Sequence, residues 1–266
     1  MRATDATTTG LDADLALIRD AAREAGAIAM RYFRKDPEVW MKGGTSPVSA
    51  ADLEVDRFLH DVLRGARPDY GWLSEETADS PERLSARRTF VVDPIDGTRA
   101  FIEGKRTWCI SIAVVEDGRS LVGVLDCPAK QEIFEATRNG EALKNGTAIR
   151  VAPVPAHPRI AGPKPMVMSA PPHLRSGEAV PYIPSLAYRL AMIANGEIDG
   201  TFVKASAHDW DLAAADLILR RAGGGILNET GEAPAYGGPQ PRHGVLVAAG
   251  CDLLPELARL IASPSQ

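Results

Sequence analysis

Cysteine, long apolar runs and blocks of like charge are all scarce in this chain, and each scarcity excludes something. Three cysteines, Cys109, Cys127 and Cys251, are scattered through 266 residues. Odd in number and unclustered, they make neither a disulfide framework nor a zinc knuckle, and they read as buried or neutral thiols. No apolar run approaches the roughly 20 residues needed to cross a bilayer. The first ten residues, M-R-A-T-D-A-T-T-T-G, lack the apolar stretch of a signal peptide and look like a frayed tail. No membrane contact and a cytoplasmic address are therefore expected. Thirty basic residues stand against 35 acidic ones, for a net charge of −5. A nucleic-acid polymer as partner would call for a basic stripe, which is missing, and the net charge argues only for solubility.

What is present is the balance of a globular protein, 45% hydrophobic and 24% charged. Leu15, Ile18, Ala22, Ala25, Ala29 and Tyr32 recur at helical spacing, which predicts an amphipathic helix from Leu11 to Phe33. A Gly/Ser/Pro loop, Lys42 to Pro47, precedes a second helix with Ser49 as its N-cap. Strands are expected at Tyr70 to Leu73, Thr89 to Val92, Trp108 to Val115, Leu121 to Leu125 and Ile133 to Ala136. Between Ala152 and Pro165 the chain has five prolines and little periodicity, and a domain boundary is placed there. Beyond it, strands at Met166 to Ser169, Ile198 to Val203 and Val245 to Ala249 alternate with helices at Ser185 to Ala194, Asp211 to Ala222 and Leu254 to Ile261. The whole reads as an α+β domain over 11–152 followed by an α/β domain over 166–266.

The segment F-V-V-D-P-I-D-G-T drives a β run into two aspartates, Asp93 and Asp96, with a proline between them. Pro94 forces the chain out of continued pairing, so the carboxylates can converge. Gly97 permits close backbone approach, and the N–H groups of Gly97 and Thr98, opening a short helix, suit a phosphate. Glu75-Glu76 follows another strand, and Asp209-Trp210-Asp211 opens a helix. Any one of these alone is also what an ordinary turn or cap looks like. Several carboxylates at element ends, with no histidine or cysteine cluster, favour a hard oxygen-loving cation such as magnesium over zinc.

These residues carry a resemblance. The segments K-G-G-T-S-P-V-S-A-A-D (Lys42 to Asp52), W-L-S-E-E-T (Trp72 to Thr77), D-P-I-D-G-T (Asp93 to Thr98) and W-D-L-A-A (Trp210 to Ala214) are similar, in order and spacing, to those of the inositol monophosphatase superfamily. The likeness runs from about residue 12 to 262. It implies a layered αβαβα sandwich of the inositol monophosphatase / fructose-1,6-bisphosphatase type, and a magnesium-dependent phosphomonoesterase sensitive to lithium. It also implies two to three Mg2+ ions held by Glu75, Asp93, the carbonyl of Ile95, Asp96 and Asp211. Asp52 and Thr98 would activate the attacking water, and Gly97 and Thr98 would hold phosphate. A homodimer is the expected assembly. The sequence departs from the pattern at Gly44, where the family has a loop aspartate, and more mildly at Ser49, Ser74 and Ala215.

Substrate choice turns on the segment before Trp210. Seven residues before Asp211 the inositol branch has a glutamate that accepts bonds from sugar hydroxyls, whereas this chain has Lys204, which has only donors. Such a cation suits a second anionic group, and the run from Ser185 to Asp199 is similar to that of the 3'(2'),5'-bisphosphate nucleotidase branch. Ser185 and Ala187 would then line the pocket. The expected reaction is hydrolysis of the 3'-phosphate of adenosine 3',5'-bisphosphate to AMP. Inositol 1-phosphate, another small sugar phosphate, or a non-catalytic binding role are the alternatives. Trp40 and Trp72 read as packing residues, and His208 as part of the pocket wall.

Overall fold

The computed structural model describes residues 3–42 and 46–262. Helix α1 (Ala3–Tyr32) buries Ile18, Ala22, Ala25 and Ala29 completely, at the spacing the sequence dictates. It reaches further upstream than the expected frayed tail allows, since nothing between Ala3 and Gly10 stops a helix once it has formed. A hairpin of β1 (Val39–Lys42) and β2 (Ser46–Ser49) follows, where only a loop was expected; Gly44 lies outside the described residues. Trp40, expected to pack, is 41% exposed on this hairpin. Helix α2 (Ala50–Ala66) then leads into β3 (Gly71–Ser74), β4 (Thr89–Asp96), the short α3 (Thr98–Ile102), β5 (Cys109–Glu116), β6 (Arg119–Cys127), β7 (Glu132–Thr137), β8 (Leu143–Lys144) and β9 (Thr147–Ala148).

Strands β3 to β9 form one sheet in sequence order, parallel only between β3 and β4. Its central strands are buried on both faces, and the two-residue period sorts their side chains. Phe90, Val92, Ile110, Ile112 and Val114 pack under α1 and α2, while Val91, Cys109, Ala113 and Val115 face the opposite way.

The second sheet is built from β10 (Ile160–Ala161), β11 (Gly200–Val203), β12 (Gly224–Asn228) and β13 (Leu246–Gly250), in the order β10-β11-β13-β12. Helices α5 (Leu186–Ala194) and α6 (Asp209–Arg221) lie between the two sheets, and α7 (Leu254–Ala262) covers the far face of the second. The layers are thus α1/α2, large sheet, α5/α6, small sheet, α7, which is the αβαβα sandwich. Gly123 on β6 is required by this packing, because a Cβ there would stand 2.9 Å from the backbone of Ala214 on α6. No helix among the described residues is long and apolar enough to cross a membrane.

One expected strand is a helix. Met166 to Ser169 belongs to α4 (Lys164–Ser169), and the strand of this region is β10, inside the proline-rich segment. Pro165 sits in the first turn of α4, where its missing N–H costs nothing and its fixed φ favours the helix. Strand β12 was hidden behind the glycines that close α6.

Candidate active site

Asp93, Asp96 and Asp211 offer carboxylate oxygens that all lie within 4.8 Å of one another. They line an open cavity of about 610 Å3, together with Glu75, Gly97 and Thr98. Four elements deliver them: the end of β3, the end of β4, the start of α3 and the start of α6.

Each carboxylate is aimed by backbone donors close to it. Asp93 Oδ1 accepts from the N–H of Ile95 at 3.0 Å. Asp211 Oδ2 accepts from the N–H of His208 at 2.7 Å, and so closes the first turn of α6. Asp96 is gripped by the N-terminus of α5: Ala187 N–H reaches Oδ2 at 2.7 Å, Leu186 N–H reaches Oδ1 at 3.3 Å, and the Ser185 hydroxyl donates as well. Ser185 and Ala187, expected to line the pocket, are fully buried and turn their polar groups to Asp96. From that helix Leu186 and Arg189 reach the cavity.

Asp52 stands on the other side of Thr98. Its Oδ2 accepts from the N–H and hydroxyl of Ser49, at 2.8 and 2.6 Å, which ties it to the start of α2. The Thr98 hydroxyl is 3.2 Å from Asp52 Oδ1 and 3.1 Å from the Ile95 carbonyl, and can donate to either. Gly97 has φ +94°, and a Cβ there would come 2.8 Å from the Cβ of Ser185. Close approach of α5 therefore requires this glycine, whatever the ligand.

The electrostatics point one way. Burial, then mutual repulsion among Glu75, Asp96, Asp211 and Asp52, raises Asp93 well above the usual carboxylate range. Asp211 is raised by burial and then by Asp96 and Glu75. Burial also raises Asp96, against the hydrogen bonds from Ser185, Ala187 and Leu186. Glu75 is pushed up to about 7 by burial and by Glu76, and Asp52 to about 6 by burial. Such a cluster of oxygen donors is costly without positive charge and fits a hard divalent cation. Lys42 supplies part of that charge, donating to the Glu75 carbonyl and, at 3.3 Å, to Glu76. The end of β3 is braced by Asp56, which accepts from Ser74 and, at 2.6 Å, from Thr77.

Cations line the same cavity. Lys204 is exposed at its rim, and Arg99 and Arg242 are exposed further round. Arg189, which sequence reasoning missed, is buried on α5, and its Nε has no hydrogen-bond partner among the described residues. Its only signal was an arginine inside the otherwise apolar run S-L-A-Y-R-L-A-M-I-A. His208 stacks on Trp210, with centroids 4.5 Å apart, and burial lowers its pKa, so it is a neutral part of the wall. Asp209 is fully buried and turns away from the cavity to Gly237 N–H and His243, both at 2.7 Å.

The model of the Inositol monophosphatase family matches residues 11–265. A Mesorhizobium japonicum protein named inositol-1-monophosphatase is 32% identical over 229 residues, covering 79% of this chain and 84% of the relative. A Xylella fastidiosa protein named Nus factor SuhB is 31% identical over 264 residues, covering 91% and 92%. Among solved structures, the extragenic suppressor protein SuhB of Bartonella henselae superimposes with a TM-score of 0.82 at 25% identity, covering 95% of this chain and all of that one.

Proposed function

The chain belongs to the inositol monophosphatase family and is a phosphomonoester hydrolase, and from that premise we propose that it removes the 3'-phosphate of adenosine 3',5'-bisphosphate. The observation that carries this reading is the cationic wall facing the carboxylates. Arg189, buried with an unpartnered Nε, and Lys204 at the rim line the cavity that holds Asp93, Asp96 and Asp211. Arg189 carries its charge near Asp96, and its buried Nε–H is left without an acceptor, which is costly. A substrate with a second phosphate would repay that cost, and Arg is suited to it because its planar fork matches phosphate oxygens. Inositol 1-phosphate has only hydroxyls to offer there, and Lys204 cannot accept hydrogen bonds from them.

Asp93, Asp96 and Asp211, with Glu75 and the Ile95 carbonyl, are the groups that would hold magnesium. Magnesium, when bound, supplies charge that offsets the negative charge gathering on the phosphate and makes water a stronger nucleophile. The chain's own contribution is proton handling and positioning. Thr98 Oγ accepts a proton from the attacking water and passes its own to Asp52 Oδ1. Asp52, raised to about 6 by burial, is a better proton acceptor near neutral pH than an ordinary carboxylate. Gly97 and Thr98 N–H groups orient the phosphate. Water adds to phosphorus, the bond to the ribose 3'-oxygen breaks to release inorganic phosphate, and that oxygen takes a proton from solvent water and leaves as the hydroxyl of AMP.

The test is phosphate release with magnesium, comparing adenosine 3',5'-bisphosphate with inositol 1-phosphate at matched concentrations, with and without lithium. Preference for the nucleotide is expected, and Lys204→Glu should reduce it. Preference for inositol phosphate, or an equal effect of Lys204→Glu on both esters, overturns the substrate assignment. Three relatives bear the name of a Nus factor, which favours membership of a larger assembly as a second reading. An Asp96→Asn variant that loses turnover yet keeps the cellular role would support it.

A further inference from the structure

A second cavity, of about 360 Å3, adjoins the first, and Tyr182 lines both. The volume falls within the range of small-molecule sites, about 300–1,000 Å3. Its walls are more apolar than those of the metal cavity. Ile160, Val167, Met168, Leu174 and Val180 line it with Tyr182. The exposed Lys164, Arg175 and Glu178 stand at its rim. Tyr182 is 67% exposed and Met168 56%, which places them among the three most exposed large apolar side chains of the described residues. Two such side chains at one cavity leave apolar surface in water that an apolar group seated there would cover.

The geometry points to this second cavity as the subsite for the aromatic base of the substrate, with Tyr182 as its stacking platform. This rests on the nucleoside bisphosphate reading above. A nucleoside 3',5'-bisphosphate has two anionic ends and one flat aromatic ring. The carboxylate cluster with its cation wall takes the anionic ends. The ring would be poorly placed among those charges and is better placed on the far side of Tyr182. Tyrosine gives a base a rigid π-face with little loss of side-chain freedom. Stacking of this kind tolerates any base, so the subsite selects for a nucleoside over an inositol or sugar, and not for adenine over guanine.

The experiment compares steady-state kinetics of the full chain, Tyr182→Phe and Tyr182→Ala on two esters. One is adenosine 3',5'-bisphosphate, and the other is its base-free counterpart, 1,4-anhydroribitol 3,5-bisphosphate. Binding of the fluorescent product analogue 1,N6-ethenoadenosine 5'-phosphate is read alongside, independently of turnover. Tyr182→Ala should raise KM for the nucleotide tenfold or more, and by far less for the base-free ester. Tyr182→Phe should restore the wild-type KM, and ethenoadenosine phosphate binding should weaken only in Tyr182→Ala. Equal penalties on the two esters, or unchanged binding of the fluorescent analogue, overturn the base subsite. Should the wild type cleave neither bisphosphate faster than inositol 1-phosphate, the phosphate assignment falls instead. In that case the fluorescence comparison still decides the subsite.

Discussion

Asp211 is positioned by a single backbone N–H, that of His208, and one of its oxygens lies within 4.8 Å of those of Asp93 and Asp96. Replacing it with asparagine keeps the shape and the hydrogen bond but removes the charge that a cation needs. Asp211→Asn should therefore lower turnover by about a thousandfold, the equivalent of several kcal/mol of lost charge stabilisation, with an unchanged circular dichroism spectrum. Without metal its melting temperature should rise, because a buried repulsive charge has gone. Wild-type turnover in this variant would sink the metal assignment. Asp126 provides a contrast away from the site. It lies on β6 against the backbone of α1 at Gly26, and burial pushes it up to about 7, opposed by Arg23. Its folded pKa lies above its unfolded value, so its contribution to stability is whole below about pH 4 and is lost as pH rises through 7. Asp126→Asn should gain on the wild type by about 2–4 kcal/mol between pH 5 and 8. Denaturant melts at the two pH values check this, and parallel curves for the two proteins would refute it.

At the scale of elements, the contact of α5 with the β4–α3 turn is the joint on which Asp96 depends. Gly97→Ala would set a Cβ 2.8 Å from that of Ser185, at a φ of +94°. The clash and the strained backbone should cost about 1–3 kcal/mol. Ser185 would also be pushed off Asp96, so metal affinity should fall further than in a variant of equal stability elsewhere, as titration calorimetry with magnesium would measure. The same joint marks how far the sequence could be read. D-P-I-D-G-T is local, so its turn and carboxylates were legible from adjacent residues. The alternation along β5 and the spacing along α1 were legible for the same reason. Strands β8, β9 and β10, two residues each, are too short to carry a period. Met166 to Ser169 looked like a strand by composition, while Pro165 acted as a helix start. Arg189 and the turning of Ser185 and Ala187 to Asp96 arise only when α5 packs against β4, and no spacing along the chain encodes that.

The whole molecule carries the energetic consequence of gathering these acids between two layers. Among the described residues, Glu75 and Asp52 are raised to about 7 and about 6, and Asp93, Asp96 and Asp211 are raised too. The metal-free folded state therefore binds more protons than the unfolded chain near pH 5–6. Stability carried by these groups is complete below their unfolded values, near pH 4, and is lost as pH climbs through 6 and 7. A single shift the size of that of Glu75 is worth a few kcal/mol. In a chain of this length each kcal/mol moves the melting temperature by about 2–4 °C. Chelator-treated protein should thus melt about 5–10 °C lower at pH 8 than at pH 5. Magnesium binds the deprotonated carboxylates and not the unfolded chain, so its affinity should rise over the same pH interval. Saturating magnesium should therefore flatten or reverse the fall, and Asp211→Asn should show less of it. Differential scanning calorimetry at both pH values, with chelator and with magnesium, reads all of these differences. A metal-free melting temperature that holds level from pH 5 to 8 would mean that the carboxylates are not crowded together in the folded protein, and the two-layer placement of the site would have to be abandoned with them.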